Sequence, residues 1–553
     1  MNQPLLLPDL VSLAASRTPH AIALSCHGET MNYETLALKI QQLSSCLMAL
    51  DLQRGERVAV YLEKRFETVI ACFGAAAAGA VFVPVNPVLK AEQVAHILQD
   101  CNVRVLVTSA KRLQTLQAVL PACADVAHLL LVDEVHATVS VESMVPGQQL
   151  AWSALSLSPV RRPHRVIDQD MAAILYTSGS TGKPKGVVLS HRNLVAGAVS
   201  VASYLENQAD DTLLAVLPLS FDAGFSQLTT AFHAGARVVL LNYLLPQDVL
   251  RTLVAERVTG LTAVPPLYIQ LSQQTWPEGV RQNLRYFANT GGRMPLETLA
   301  RIRAQVPQAR PFLMYGLTES FRSTYLPPED VDRRPDSIGK AIPNAEILVL
   351  REDGTPCVAD EPGELVHRGA LVGLGYWNDV EKTAERYKVL TPQSTGQPPG
   401  LPLPEYAVFS GDTVRRDAQG FLYFVGRRDE MIKSSGYRVS PTEVEEVLYA
   451  SHCIAECAAF GTPHPDKGQE IQVVASLAAG QDETVLAALY ALCRQQMPPY
   501  MVPAGITLVR GPLPRNANGK IDRKQLAAAV VQADDTPAQS KVATSGECLH
   551  ATP

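Results

Sequence analysis

The chain has 553 residues, 47% hydrophobic and 18% charged, with a formal net charge of −6. That length exceeds what a single core serves, so two or more domains are expected. The mild acidity gives no footing for nucleic acid or an anionic membrane. The ten cysteines are scattered and read as reduced thiols, not as a disulfide framework. Cys453 and Cys457 stand one helical turn apart beside His452, but no second ligand pair accompanies them, so packed thiols are the simpler account. Residues 1–10 lack a basic stretch followed by an apolar core, and no export signal is expected. The longest apolar run, 69–85, is rich in Ala and Gly and contains Pro84, so it reads as a buried helix entering a strand. A cytoplasmic protein without a membrane segment is expected.

Taken in order, residues 8–50 read as helix, strand, helix, the second helix burying Leu36, Ile40, Leu43 and Leu47 on one face. Runs at 57–61, 80–85 and 103–108 are strands with helical patterns between them. This alternation continues through 171–176, 213–218, 236–240, 260–266 and 286–295, and it predicts parallel sheets covered by helices, an α/β fold. Ligands in such sheets bind beyond the carboxyl ends of strands. Several of these runs break into glycine and polar residues, which points to one shared cleft. From Ser337 short strands and turns dominate and predict a small β-rich subdomain, with a surface excursion at 390–404. Alternating elements beyond Asp429 have the length of a second, smaller domain, and residues 532–553 have no period and read as a disordered tail.

The segment Thr177-Ser178-Gly179-Ser180-Thr181-Gly182-Lys183-Pro184-Lys185-Gly186 joins two strand-like runs. Its glycines let backbone N–H groups approach an anion, its hydroxyls add donors, and Lys183 and Lys185 supply charge. It is not a Walker A loop, since no glycine stands five residues before Gly182. On composition alone a solvated hairpin turn is equally open.

In order and identity this loop resembles the phosphate-binding loop of the adenylate-forming superfamily of acyl-CoA ligases, carrier-protein adenylation domains and luciferases. Four further segments match that family in order: Tyr315-Gly316-Leu317-Thr318-Glu319, Ser410-Gly411-Asp412-Thr413, 429–439 and 514–523. The resemblance covers roughly residues 10–530. It implies a large N-terminal domain of stacked α/β sheets with a small β-rich subdomain (1–428), and a smaller mobile α+β domain (429–531) before the tail. It also implies that Thr318 and Glu319 sit at the phosphates of ATP, that Glu319 holds Mg²⁺, and that Tyr315 stacks on adenine. Gly291, Gly292 and Arg293 would line the adenine and acid pocket, while Asp412 and Arg427 would meet the ribose. Asp429 becomes the hinge, Gly436 borders the thiol tunnel, and Lys433 and Lys520 are carried over as catalytic. Lys520 is the cation that bridges the acid and the α-phosphate.

The implied reaction has two steps, acyl-AMP formation with release of pyrophosphate and then transfer to the thiol of CoA. Phe221-Asp222-Ala223-Gly224-Phe225 lies where the family's acid pocket begins. In amino-acid-activating members an Asp there meets the substrate ammonium, whereas a turn or helix-capping role is the plainer reading of Asp222. Gly224, Gly291 and Gly292 would leave room for a sizeable acyl group. Over the whole chain the sequence is similar to bacterial AMP-forming acyl-CoA ligases grouped with exosortase A systems, through 61–65, 83–87 and 321–328. The ending Asn518-Gly519-Lys520-Ile521-Asp522-Arg523 also resembles carrier-protein adenylation domains, so an enzyme loading the phosphopantetheine of an acyl carrier protein is the alternative. A catalytically idle relative is disfavoured because Lys520 and Glu319 are both present.

Overall fold

A computed structural model describes residues 3–133, 145, 147–157, 160–177, 184–395, 404–428, 430–434, 437–464, 468–516 and 520–534. They form two compact units, one reaching residue 428 and the other beginning at residue 430.

The larger unit is built on two sheets. At the heart of the first, strands Arg310–Tyr315, Tyr286–Asn289, Gly260–Ala263, Thr212–Ala215, Arg237–Leu240 and Ile22–Cys26 lie side by side and parallel. Continuous runs such as Leu213-Leu214-Ala215 and Pro311-Phe312-Leu313-Met314 are buried on both faces, as parallel strands under helices require. One flank is closed by a hairpin, Ile22–Cys26 with Glu29–Asn32, where a single strand was expected. His27 and Gly28 turn it, both with positive φ (50° and 84°), and a His-Gly pair lacks the Asn-Gly signal that announces such turns. At the other flank the sheet continues antiparallel through Thr324–Leu326, Ser337–Ala341, Leu422–Arg427, Tyr406–Arg416, Gly363–Gly369 and Ala345–Leu350. The expected β-rich segment is therefore hydrogen-bonded into the same sheet.

The second sheet orders Gly375–Tyr376, Lys185–Ser190, Met171–Thr177, Val81–Pro84, Arg57–Tyr61, Val103–Thr108, His128–Leu131 and Gln149–Ala151. Helices Phe66–Ala78 and Asp222–Ala234 fill the space between the sheets. Phe225 stacks on Phe82 of the second sheet at 4.8 Å, and Phe232 meets Phe73 edge-on at 5.3 Å. Such aromatic pairs add about 0.5–1.5 kcal/mol each beyond burial.

Buried His367 lies on Gly363–Gly369 with Nδ1 3.0 Å from the Ser323 hydroxyl, and burial lowers its pKa from 6.5 to about 3. The unfolded chain therefore binds a proton that the folded chain refuses between those pH values, and stability falls as the pH drops below 6.5. Denaturant titrations should show the wild type losing about 2 kcal/mol more than His367→Asn between pH 7 and 5. Parallel pH profiles would contradict this.

The smaller unit has a five-stranded sheet ordered Tyr437–Val439, Ile432–Ser434, Gly468–Leu477 and Ile454–His464, with Gly505–Val509 parallel to Gly468–Leu477. Buried Glu445 of helix Pro441–Tyr449 accepts two bonds (2.8 and 2.9 Å) from Arg523, which opens helix Arg523–Asp534. Cys457 lies within the strand Ile454–His464, so the helical spacing assumed for Cys453 and Cys457 does not hold. The nine described cysteines are free thiols. The last helix runs to Asp534, three residues into the stretch read as a tail, and 535–553 lie outside the described residues. Within the expected excursion at 390–404, Pro392–Thr395 is a short helix and 396–403 lie outside the described residues. No helix among the described residues is long and apolar enough to cross a membrane.

Candidate functional site

Strand Arg310–Tyr315 leaves the sheet at its carboxyl end and enters the short helical turn Thr318–Ser320. Thr318 is buried, and Glu319 is held on two sides. Its backbone carbonyl accepts the Gly373 N–H (2.8 Å), and its carboxylate accepts the Tyr376 hydroxyl. Tyr376 belongs to the two-residue strand paired with Lys185–Ser190. Burial, and then the Glu319 charge, raise the pKa of its phenol, which stays protonated as a donor. The Lys185 ammonium stands 5.6 Å from the Tyr376 ring centroid, and Lys185 faces Thr177 across the strand pair that carries the glycine-rich segment. Thr177, Lys185, Tyr376, Thr318 and Glu319 are thus one cluster. Its hydroxyl and carboxylate oxygens are hard donors, the chemistry that fits Mg²⁺.

Tyr315, three residues before Thr318, turns the other way. Its hydroxyl donates to buried Asp412 at 2.5 Å, and Arg427 Nε stands 3.4 Å from the other carboxylate oxygen. Asp412 and Arg427 are register partners on Tyr406–Arg416 and Leu422–Arg427, so the pairing of the two strands fixes the ion pair. Gly316 lets the turn fold tightly, since a Cβ there would lie 3.0 Å from the Arg322 backbone.

The same turn ends in a third cluster. Phe321 adopts φ 56° and ψ −48°, which an L residue rarely keeps unless its surroundings impose it. Its ring is fully buried against Gly197, and the next residue, Arg322, is 2% exposed. Arg322 Nη1 donates to Asp222 Oδ2 at 2.9 Å and to the Phe321 carbonyl at 2.7 Å. Asp222 is the first residue of helix Asp222–Ala234, where a negative charge suits the helix dipole, and it is itself 3% exposed. Gly224 faces no open space, for a Cβ there would lie 1.9 Å from the Pro218 carbonyl, so it secures packing and does not enlarge a pocket. A Cβ on Gly291 (φ 75°) would lie 3.2 Å from Val264 and 3.5 Å from the Phe221 ring, and one on Gly292 would lie 3.2 Å from Pro265. At Gly291 it is the positive φ that calls for glycine, whereas a side chain at Gly292 would ask Pro265 to give by only a few tenths of an ångström. Arg293 is half-buried after this turn, and Asn289 ties the turn down through the Gly292 carbonyl at 2.8 Å.

A polar carboxyl end of one strand, with three charged clusters hung on a single eight-residue turn, has the chemistry to receive a multiply charged ligand. A profile described as AMP-binding enzyme matches residues 11–377, and one described as AMP-binding enzyme C-terminal domain matches residues 443–520. The chain belongs to the AMP-binding enzyme family, the adenylate-forming ligases. Among curated members it is 30% identical over 534 residues to indoleacetate–CoA ligase of Aromatoleum aromaticum, covering 94% of this chain and 98% of that one. It is 29% identical over 536 residues to L-proline–[L-prolyl-carrier protein] ligase of Pseudomonas fluorescens, covering 95% and 99%. It is also 29% identical over 518 residues to a linear gramicidin synthase of Brevibacillus parabrevis, where 93% of this chain spans 9% of that much longer protein. The fold matches the solved anthranilate CoA ligase in complex with anthranoyl-AMP, with a TM-score of 0.83, 24% identity and coverage of 96% and 99%.

In this AMP-binding enzyme the remaining expected residues fall elsewhere. Ser178, Gly179, Ser180, Thr181, Gly182, Lys183, Asp429 and Gly436 lie outside the described residues. Lys433 is on strand Ile432–Ser434. Lys520 is exposed on a tight turn whose Asn516 bonds both its carbonyl (2.8 Å) and its N–H (3.1 Å). Two participants escaped the sequence reading. Tyr376 had a signal, an aromatic pair in the glycine-rich segment Gly373-Leu374-Gly375-Tyr376-Trp377. Arg322 had none, since nothing local marks which of many arginines turns inward.

Proposed function

We propose that this chain uses ATP to convert a carboxylic acid to acyl-AMP with release of pyrophosphate, and then transfers the acyl group to the thiol of CoA, with AMP as the leaving group and acyl-CoA as the product. One observation carries this reading. The turn after Arg310–Tyr315 offers a carboxylate for the phosphate end of a nucleotide and, through Tyr315, reaches an aspartate–arginine pair suited to its ribose. Asp412, an ionised acceptor with two oxygens, would accept the ribose hydroxyls beside Arg427. The backbone and hydroxyls of 177–183 with Lys183 and Lys185 would hold the phosphates. Glu319 with the Thr318 hydroxyl would hold Mg²⁺, which, when bound, offsets charge on the departing pyrophosphate. Lys520 would place its ammonium between the acid's carboxylate and the α-phosphate, and Lys433 would assist from the same smaller unit. After adenylation that unit turns about Asp429, Lys520 withdraws, and the segment around Gly436 leaves space for the pantetheine arm.

Asp429→Pro, which restricts backbone rotation, should slow thioester formation by about 10-fold or more while adenylation changes less than about threefold. Single-turnover assays of each half-reaction test this, and equal loss in both would contradict the hinge.

A second reading, loading an acyl or amino acid onto the phosphopantetheine of a carrier protein, is favoured by the likeness to the prolyl-carrier-protein ligase. Pyrophosphate release across fatty, aryl and amino acids, with CoA and then with a phosphopantetheinylated carrier protein, separates the two. Turnover that needs CoA supports the ligase. Thioester appearing on the carrier alone moves the second reading ahead, and no pyrophosphate release with any acid overturns both.

A further inference from the structure

The buried pair Asp222–Arg322 has no task in the reaction as described, yet it stands beside the Phe221–Gly291 contact and directly after the turn that carries Glu319. Arg322 also lines a small cavity of about 20 Å³ together with Ala223, Ser226, Thr230, Thr262 and Met314. That is room for roughly one water molecule. Among the described residues Arg322 Nε has no hydrogen-bond partner, whereas Ser226 and Thr230 lie within bonding distance of each other. Gln227, which also lines the cavity, donates to the Leu214 and Thr262 carbonyls.

A carboxylate this deeply buried needs a cation. In this chain the protein supplies its own. An acid whose chain bears an ammonium would bring a second cation to a place where Asp222 is already matched, and it would meet the guanidinium head-on. An acid without an ammonium meets a neutral pair. We infer that Arg322 is a specificity-determining residue that closes the Asp222 carboxylate to amino acids and admits acids free of ammonium. The inference rests on the adenylate-forming reading and narrows its acid.

The test is binding of two adenylate mimics that differ only in the ammonium, propanoyl- and alanyl-sulfamoyl adenosine, measured by calorimetry on the full chain without turnover. The wild type should bind the propanoyl mimic at least about 10-fold more tightly, because a site rejects a group whose charge it cannot pair. Arg322→Met should reverse the order by a similar factor, since Asp222 is then left to pair with the ammonium. Asp222→Asn with Arg322→Met should bring the ratio to within about threefold, since neither charge remains. Arg322→Lys keeps a cation beside Asp222 and should retain the wild-type order, which leaves the inference testable even if Arg322→Met fails to fold. Tighter binding of the alanyl mimic by the wild type or by Arg322→Lys would overturn it, as would an unchanged ratio in folded Arg322→Met. Binding of neither mimic by the wild type would overturn this inference, whereas the adenylate reading falls only with the absence of pyrophosphate release across the acid panel.

Discussion

Replacing Lys520 by Ala should lower pyrophosphate release by about 100-fold or more with every acid the wild type activates. The magnitude follows from the task proposed for the ammonium, which is to meet negative charge that gathers at the α-phosphate as the acid attacks. A cation fixed there before the step stabilises the transition state without reorganising solvent. The bonds that tie Lys520 to Asn516 run through the backbone carbonyl and N–H of Lys520, and alanine keeps both. Unfolding midpoints should therefore agree with the wild type to within about 0.5 kcal/mol, as for other exposed positions. Thioester formation from chemically prepared acyl-AMP should persist, since the task proposed for Lys520 belongs to the first step alone. Undiminished pyrophosphate release in the variant would remove Lys520 from the mechanism.

Glu319→Gln should be nearly as severe, with adenylation down by about 100-fold and a rightward shift of the Mg²⁺ titration by about 10-fold or more. Glutamine keeps the length of the side chain and can still accept the Tyr376 hydrogen bond, so the change isolates the charge that a divalent ion needs. Tyr376→Phe leaves the charge and removes the donor that orients it, and about a 10-fold loss is expected from a partner one shell out. The rank of the two variants matters as much as their size. Coincident Mg²⁺ titrations for the wild type and Glu319→Gln would mean that the metal is held elsewhere.

Local signals in the chain announced the strand ends and their polar turns, while the roles given to the residues on them came from the family resemblance. Tyr315, Thr318 and Glu319 follow an apolar run with a glycine in its turn, and Asp412 follows Gly411. A strand end that breaks into polar residues is visible without knowing its neighbours. Pairing across long separations was not visible. Asp222 and Arg322 are 100 positions apart, and the pair forms only because helix Asp222–Ala234 and the turn after Arg310–Tyr315 follow parallel strands of one sheet. Read alone, Asp222 had to be a capping residue or an ammonium ligand, and its actual partner belonged to a different segment. Gly224 misled for the same reason, because a missing side chain signals space equally for a ligand and for a neighbouring carbonyl. The hairpin at His27–Gly28 was missed because positive φ there is imposed by the strands it joins and is not a preference of histidine.

The strands Arg310–Tyr315, Thr324–Leu326, Ser337–Ala341 and Leu422–Arg427 run on as one hydrogen-bonded ladder. This governs how the protein can be divided for study. A fragment ending between Asp330 and Ser337 would strip the partner from Thr324–Leu326 and leave its amides and carbonyls as a bare sheet margin, the kind of surface that templates intermolecular pairing. It would also carry away Asp412 and Arg427, and with them the anchor for Tyr315. The boundary that respects the ladder falls after Arg427, so the smallest portion that keeps every strand of it paired retains everything before it.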